Sequence, residues 1–175
     1  MTSSQTFFSR TIAASFLLAV VLTGYTSCTK PSPAAVVAAV GGGSMSANCN
    51  GTTIAFVPAA TLNGTSFTIT GVQTNTPPVE NLVIYTTATS VGTYILNFGG
   101  TTSGNAAVYS IGPNTANMTS YRTDTTHVGT LTITTLDMTN KTMTGSFSFN
   151  AKQSAPTIGT ATVAITSGTF AGVKW

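Results

Sequence analysis

From Gly129 to Phe149, apolar and hydroxyl-bearing side chains alternate around a short polar break, Asp137-Met138-Thr139-Asn140-Lys141. Period-two alternation puts one set of side chains on each face of a strand. Two such runs joined by a tight turn predict an antiparallel ribbon with one dry face and one wet face. Asp suits the first position of a type I turn, and Asn tolerates the left-handed conformation that closes a three-residue loop. With Asp137 facing Lys141, Leu131 faces Phe147, Ile133 faces Gly145, and Phe149 covers the bare backbone of Gly129. The other face is all hydroxyl: Thr134 opposite Thr144, Thr132 opposite Ser146, Thr130 opposite Ser148. A one-residue slip would turn both Phe rings into water, so the register is strongly specified.

The same pattern recurs through residues 51–175. Runs of β type span Thr52–Val57, Ser66–Thr70, Leu82–Thr87, Thr93–Phe98, Ala106–Ile111, Met118–Thr123, Val128–Leu136, Met143–Ala151, Thr160–Thr166 and Thr169–Lys174. Pro58, Asn63-Gly64, Pro77-Pro78, Gly99-Gly100 and Gly112-Pro113 separate them. In the run from Thr160, Ala161, Val163 and Ile165 are expected to face inward and Thr160, Thr162 and Thr166 outward. Roughly one residue in five is Thr, a β-branched side chain that fits a pleated, half-buried surface. The predicted fold is all-β, an antiparallel β-sandwich of about 8–10 short strands, with a partly open β-barrel as the alternative.

Charge excludes more than it suggests. Charged residues make up 5% of the chain, against an ordinary level of roughly 25%. The six Lys and Arg residues are scattered, so no phosphate-tracking surface forms and no nucleic-acid partner is expected. A single His and two Cys offer no zinc spacing, and three carboxylates are too few for a calcium cage. No metal and no cofactor is expected, and the scarcity of titratable groups argues against an enzyme.

The first 27 residues read as an export signal: Arg10 supplies the positive region and Ile12–Leu22 an apolar stretch too short to span a bilayer. The run Tyr25-Thr26-Ser27-Cys28 resembles the processing site of bacterial lipoproteins, with Tyr25 standing where Leu, Val or Ile is usual. The resemblance implies cleavage before Cys28, acylation of its thiol and a membrane anchor; the alternative is an ordinary secretory signal. A lipoprotein Cys carries two or three acyl chains, which is what stable anchoring takes. Residues 28–50, with Pro31, Pro33 and Gly41-Gly42-Gly43-Ser44, read as a flexible tether reaching roughly 25 Å. Residues 51–175 are then the β domain. With Cys28 lipidated, Cys49 is a buried small residue or an exposed thiol; with Cys28 free, the two could form a disulfide.

The ordered pieces Gly129–Thr134, Leu136-Asp137, Gly145–Phe149 and Ile165–Phe170 are together similar to a family of small uncharacterised bacterial lipoproteins. That resemblance implies a signal, a tether and one all-β domain of unknown function. Its motifs are turn and core residues, so no catalytic residue is carried over.

Candidate sites are few. His127 follows Asp124 at a spacing that suits a turn better than a Ser–His–Asp set, and no Gly-x-Ser-x-Gly elbow is present. Glu80 and Asp137 form a conceivable glycosidase pair, but the turn explains Asp137, and Glu80 opens a strand after Pro77-Pro78. Asp124-Thr125-Thr126 resembles an acceptor for O-linked glycans and reads equally as an Asx turn. Tyr85, Tyr94, Tyr109, Tyr121 and Trp175 are expected in the core or in a sugar-stacking strip. Trp175, Tyr121 and His127 are singled out as ligand contacts, and Cys28 as the lipidated residue. The expectation is a non-catalytic protein of the cell envelope, anchored in the outer membrane with neither face assigned. Its role is structural or in interaction with a glycan or an envelope protein; alternatively it binds carbohydrate or a small apolar molecule.

Overall fold

The computed structural model describes residues 42–73, 77–100 and 104–175. Cys28 and the stretches read as a leader and a tether, up to residue 41, lie outside them. The described residues form ten strands and no helix: β1 (Ser44–Cys49), β2 (Thr52–Asn63), β3 (Ser66–Gln73), β4 (Val79–Thr86), β5 (Gly92–Leu96), β6 (Ala106–Asn114), β7 (Asn117–Arg122), β8 (Gly129–Asp137), β9 (Thr142–Ala155) and β10 (Thr162–Lys174). All pairings are antiparallel and all ten strands belong to one sheet, in the order β10-β1-β2-β3-β4-β6-β7-β9-β8-β5. β10 also pairs with β9, so the circuit of neighbours returns on itself. β7 and β8 follow one another along the edge of β9 that β10 leaves free, and β8 carries β5 outward. The sheet curls over a single core, so the faces packed together belong to the same sheet.

Alternation decides which residues enter that core. Leu131 and Ile133 of β8, Met143, Phe147 and Phe149 of β9, Leu82 and Ile84 of β4, and Phe67 and Ile69 of β3 are all buried. The Phe147 ring stacks on Phe149 and on Phe170, each at 6.4 Å between centroids. Glycine makes room for these rings. A Cβ on Gly129 would collide with Phe149, one on Gly168 with the Phe147 ring, and one on Gly145 with Phe170 and the Thr132 carbonyl.

The ribbon register is as predicted over its upper part: Gly129 pairs with Phe149, Leu131 with Phe147, Thr132 with Ser146 and Ile133 with Gly145. Nearer the turn it differs. Thr135, not Thr134, faces Thr144, and Asp137 faces Thr142 rather than Lys141. The loop is one residue longer than predicted, and Lys141 rather than Asn140 takes the left-handed conformation, at φ 54°. A β-bulge at Thr134-Thr135 absorbs the extra residue, so the apolar face above it stays aligned. Asp137 Oδ1 accepts from the backbone N–H groups of Thr139 and Asn140, which anchors the turn as its Asp suggested.

Three boundaries also differ. β1 lies inside the stretch read as tether, with Met45, Ala47 and Cys49 buried between β10 and β2. Its small polar partners, Ser44, Ser46 and Asn48, hide an alternation that the preceding glycines obscure. β2 runs through Pro58; β1 pairs with β2 only as far as Phe56, so beyond it the proline sits as on an edge strand. The two last predicted runs are one strand, β10, with irregularities near Ser167 and Gly172 that restore the inward phase at Gly168, Phe170 and Val173. Ala161, expected inward, is exposed just before β10 begins.

Candidate functional site

At one end of the curled sheet, where β1 finishes and β2, β4 and β10 begin, the core gives way to a cavity of about 380 Å³. Glu80, Tyr109, Tyr121, Cys49, Ile111 and Val163 are among its walls, and the exposed Asn50, Thr52 and Pro78 stand at its rim. Strand phase puts the carboxylate there. Glu80 shares a face with Leu82, Ile84 and Thr86, all buried, and is itself 5% exposed. On β6, Tyr109 faces Leu82 and lies diagonally from Glu80, within reach of a long side chain. Its hydroxyl donates to Glu80 Oε2 at 2.7 Å. Tyr121 of β7 pairs directly with Tyr109, ring centroids 6.4 Å apart and tilted by 35°.

No cation among the described residues answers this carboxylate. The one ion pair among the described residues joins His127 to Asp124. Burial pushes the Glu80 carboxyl above its ordinary value of 4.5, and the Tyr109 hydrogen bond only partly opposes it. Burial also raises the Cys49 thiol to about 12, with the nearby Glu80 charge adding to it against the Tyr109 hydrogen bond. Tyr109 is raised as well, first by burial and then by its bond to Glu80. Cys49 is a free, buried thiol and stays protonated, so it is not an activated nucleophile.

The residues singled out from sequence do not converge. Tyr121 lines the end cavity. Trp175 is half-buried in edge-to-face contact with Phe67 at 4.9 Å, and its backbone N–H donates to the Lys141 carbonyl beside the β8–β9 turn. His127 sits in the link between β7 and β8, closed on its own turn. Asp124 Oδ1 accepts from the N–H groups of Thr126 and His127, and His127 Nδ1 lies 3.0 Å from the same oxygen. Burial raises the Asp124 carboxyl, but the hydrogen bonds from His127 and Thr126 outweigh it and hold the group well below the usual carboxylate range. No Ser is among the hydrogen-bond partners of His127; its ring nitrogen meets Asp124 and the Thr126 hydroxyl. Asp137 and Glu80 occupy opposite ends of the sheet, so they form no carboxylate pair. Among the described residues, no three of His, Cys, Asp and Glu gather closely enough to hold a metal.

Sequence reasoning weighs Glu80 only as a partner for Asp137 and as the opening of a strand, and does not place it on the inward face. The signal was present: Glu80, Leu82 and Ile84 recur at period two, which places a carboxylate on an apolar face.

A second concavity, about 640 Å³, lies on the outside, between β3, β4 and β6 and the loop that joins β5 to β6. Tyr85 and Phe98 are exposed in it, and the Arg122 guanidinium lies 3.8 Å above the Phe98 ring.

The fold and these sites define an all-β module built from a single antiparallel sheet with a polar cluster in one end of its core. The chain belongs to the family described as Domain of unknown function (DUF6252), which matches residues 44–174. That match begins at the first residue of β1 and ends at the last of β10. No curated protein and no solved structure matches the chain.

Proposed function

We propose that this protein is a lipid-anchored, non-catalytic component of a bacterial cell envelope, and that its domain holds a small molecule in the cavity beside Glu80. The observation that carries the ligand reading is a carboxylate 5% exposed, bonded by one tyrosine hydroxyl and walled by apolar and aromatic side chains at an open rim. Binding sites combine this mostly apolar lining with a few fixed polar groups. Among the described residues Asp124 and Asp137 are taken up by turns, the Thr126 hydroxyl and His127 are closed on the Asp124 turn, and the Cys49 thiol is neutral, which supports a non-catalytic reading.

The anchor rests on the order of the apolar stretch Ile12–Leu22, the processing-site resemblance at Tyr25–Cys28, and Cys28 itself. In this reading the acyl chains, palmitate among them, hold Cys28 in the outer membrane, and the segment up to residue 43 spaces the sheet from it. Cys28→Ala is expected to abolish fatty-acid labelling and to move the protein from the membrane to the soluble fraction. Persistent labelling of that variant would reject the anchor.

The outer concavity favours a second reading, an interaction with a glycan or an envelope protein. Exposed Tyr85 and Phe98 with Arg122 at hand are the side chains such contacts use.

A further inference from the structure

We infer that the end cavity selects an organic ammonium ion, with the cationic nitrogen against Glu80 and the rings of Tyr109 and Tyr121. This rests on the reading of the cavity as a ligand site. Three features of the wall agree on the charge. Glu80 is buried and aimed into the cavity, while the one ion pair among the described residues lies elsewhere, between His127 and Asp124. A buried carboxylate is expected to be paired, or else to give up its charge. The single hydrogen bond to it comes from Tyr109, at Oε2, which leaves acceptor capacity for a donor arriving through the rim. Two tyrosine rings 6.4 Å apart stand on the same face, and aromatic faces attract cations most strongly where water is excluded.

An anion is disfavoured by the same geometry, since it would meet a carboxyl group and the negative faces of the rings. A neutral alcohol would gain a hydrogen bond but no ion pair. Burial holds the Glu80 proton more tightly than water would, and a neighbouring ammonium favours the charged carboxylate, so binding tightens as pH rises through the Glu80 titration. The other titratable groups facing the site are Cys49, Tyr109 and Tyr121, and burial raises the first two above their ordinary values.

The test uses the purified full chain and three probes of one size: n-butylammonium, butan-1-ol and butyrate. Binding is read from the ring resonances of Tyr109 and Tyr121 in NMR titrations. The ammonium is expected to bind about tenfold more tightly than the alcohol, a factor worth about 1.4 kcal/mol, and butyrate more weakly than either. Glu80→Gln is expected to erase the difference between ammonium and alcohol. Should that variant not fold, lowering the pH of the wild-type protein through the Glu80 titration must erase the same difference. If the alcohol binds as tightly as the ammonium, or the preference does not change with pH, the charge inference falls and the ligand site stands. If none of the three probes shifts either ring, the ligand site falls too.

Discussion

Glu80 and Asp124 are both carboxylates in a chain with very few, and their surroundings push them in opposite directions. Glu80 loses water and gains one hydrogen bond, so its proton is held more tightly in the folded state. Asp124 receives two backbone N–H groups and a threonine hydroxyl, so its proton is held less tightly. The consequences for stability have opposite signs. The Glu80 contribution is complete below its unfolded value and declines as pH rises toward the folded one. The Asp124 contribution is present above its unfolded value and is lost as pH falls. Denaturant midpoints of the wild type should therefore drop relative to Glu80→Gln as pH rises from about 4.5. Equal midpoints across that range would mean that Glu80 is solvated in the folded protein. Asp124→Asn should instead flatten the loss of stability on the acid side.

Among the elements, the β8–β9 ribbon was the most legible, and its partial misreading is instructive. The turn was read one residue too short and no bulge was foreseen, yet Leu131 still faces Phe147. The two differences cancel because burial of one face fixes the phase of the strands, while the solvent-exposed Thr134-Thr135 step can take up an extra residue. Phe147 is the most exacting position. It is 3% exposed, stacks on Phe149 and Phe170, and covers Gly168. Phe147→Ala is expected to destabilise the domain by about 3–5 kcal/mol in urea titrations. A loss below about 1 kcal/mol would place this face outside the core. Gly168→Ala should also destabilise, because its Cβ would occupy the space of the Phe147 ring.

At the scale of the whole molecule, closure depends on the two ends of the described chain. β10 pairs with β1 on one side and β9 on the other, so the last strand joins the start of the sheet to its middle. β1 in turn fills the place between β10 and β2. A chain beginning at Gly51 would expose the edges of both neighbours and uncover Phe56 and Phe170, which face Met45. It is expected to lose cooperative unfolding and near-ultraviolet dichroism, whereas a chain beginning at Gly42 keeps both. Equal cooperativity in the two would show that β1 is dispensable. The end cavity is also a property of this scale, since β1, β4, β6 and β7 contribute Cys49, Glu80, Tyr109 and Tyr121 to one wall.

Sequence alone was enough for the all-β class, for most of the strands and for the pairing of Leu131 with Phe147. These follow from period-two alternation and turn chemistry, which act between residues close in the chain. It also contained the phase of Glu80, though not its meaning, because a carboxylate in step with Leu82 and Ile84 is informative only once that face is known to be enclosed. The joining of β10 to β1, and the meeting of Glu80 with Tyr109 and Tyr121, were settled by tertiary structure. Both bring together residues far apart in sequence, and long-range pairing depends on how the whole apolar face closes against itself rather than on any local preference.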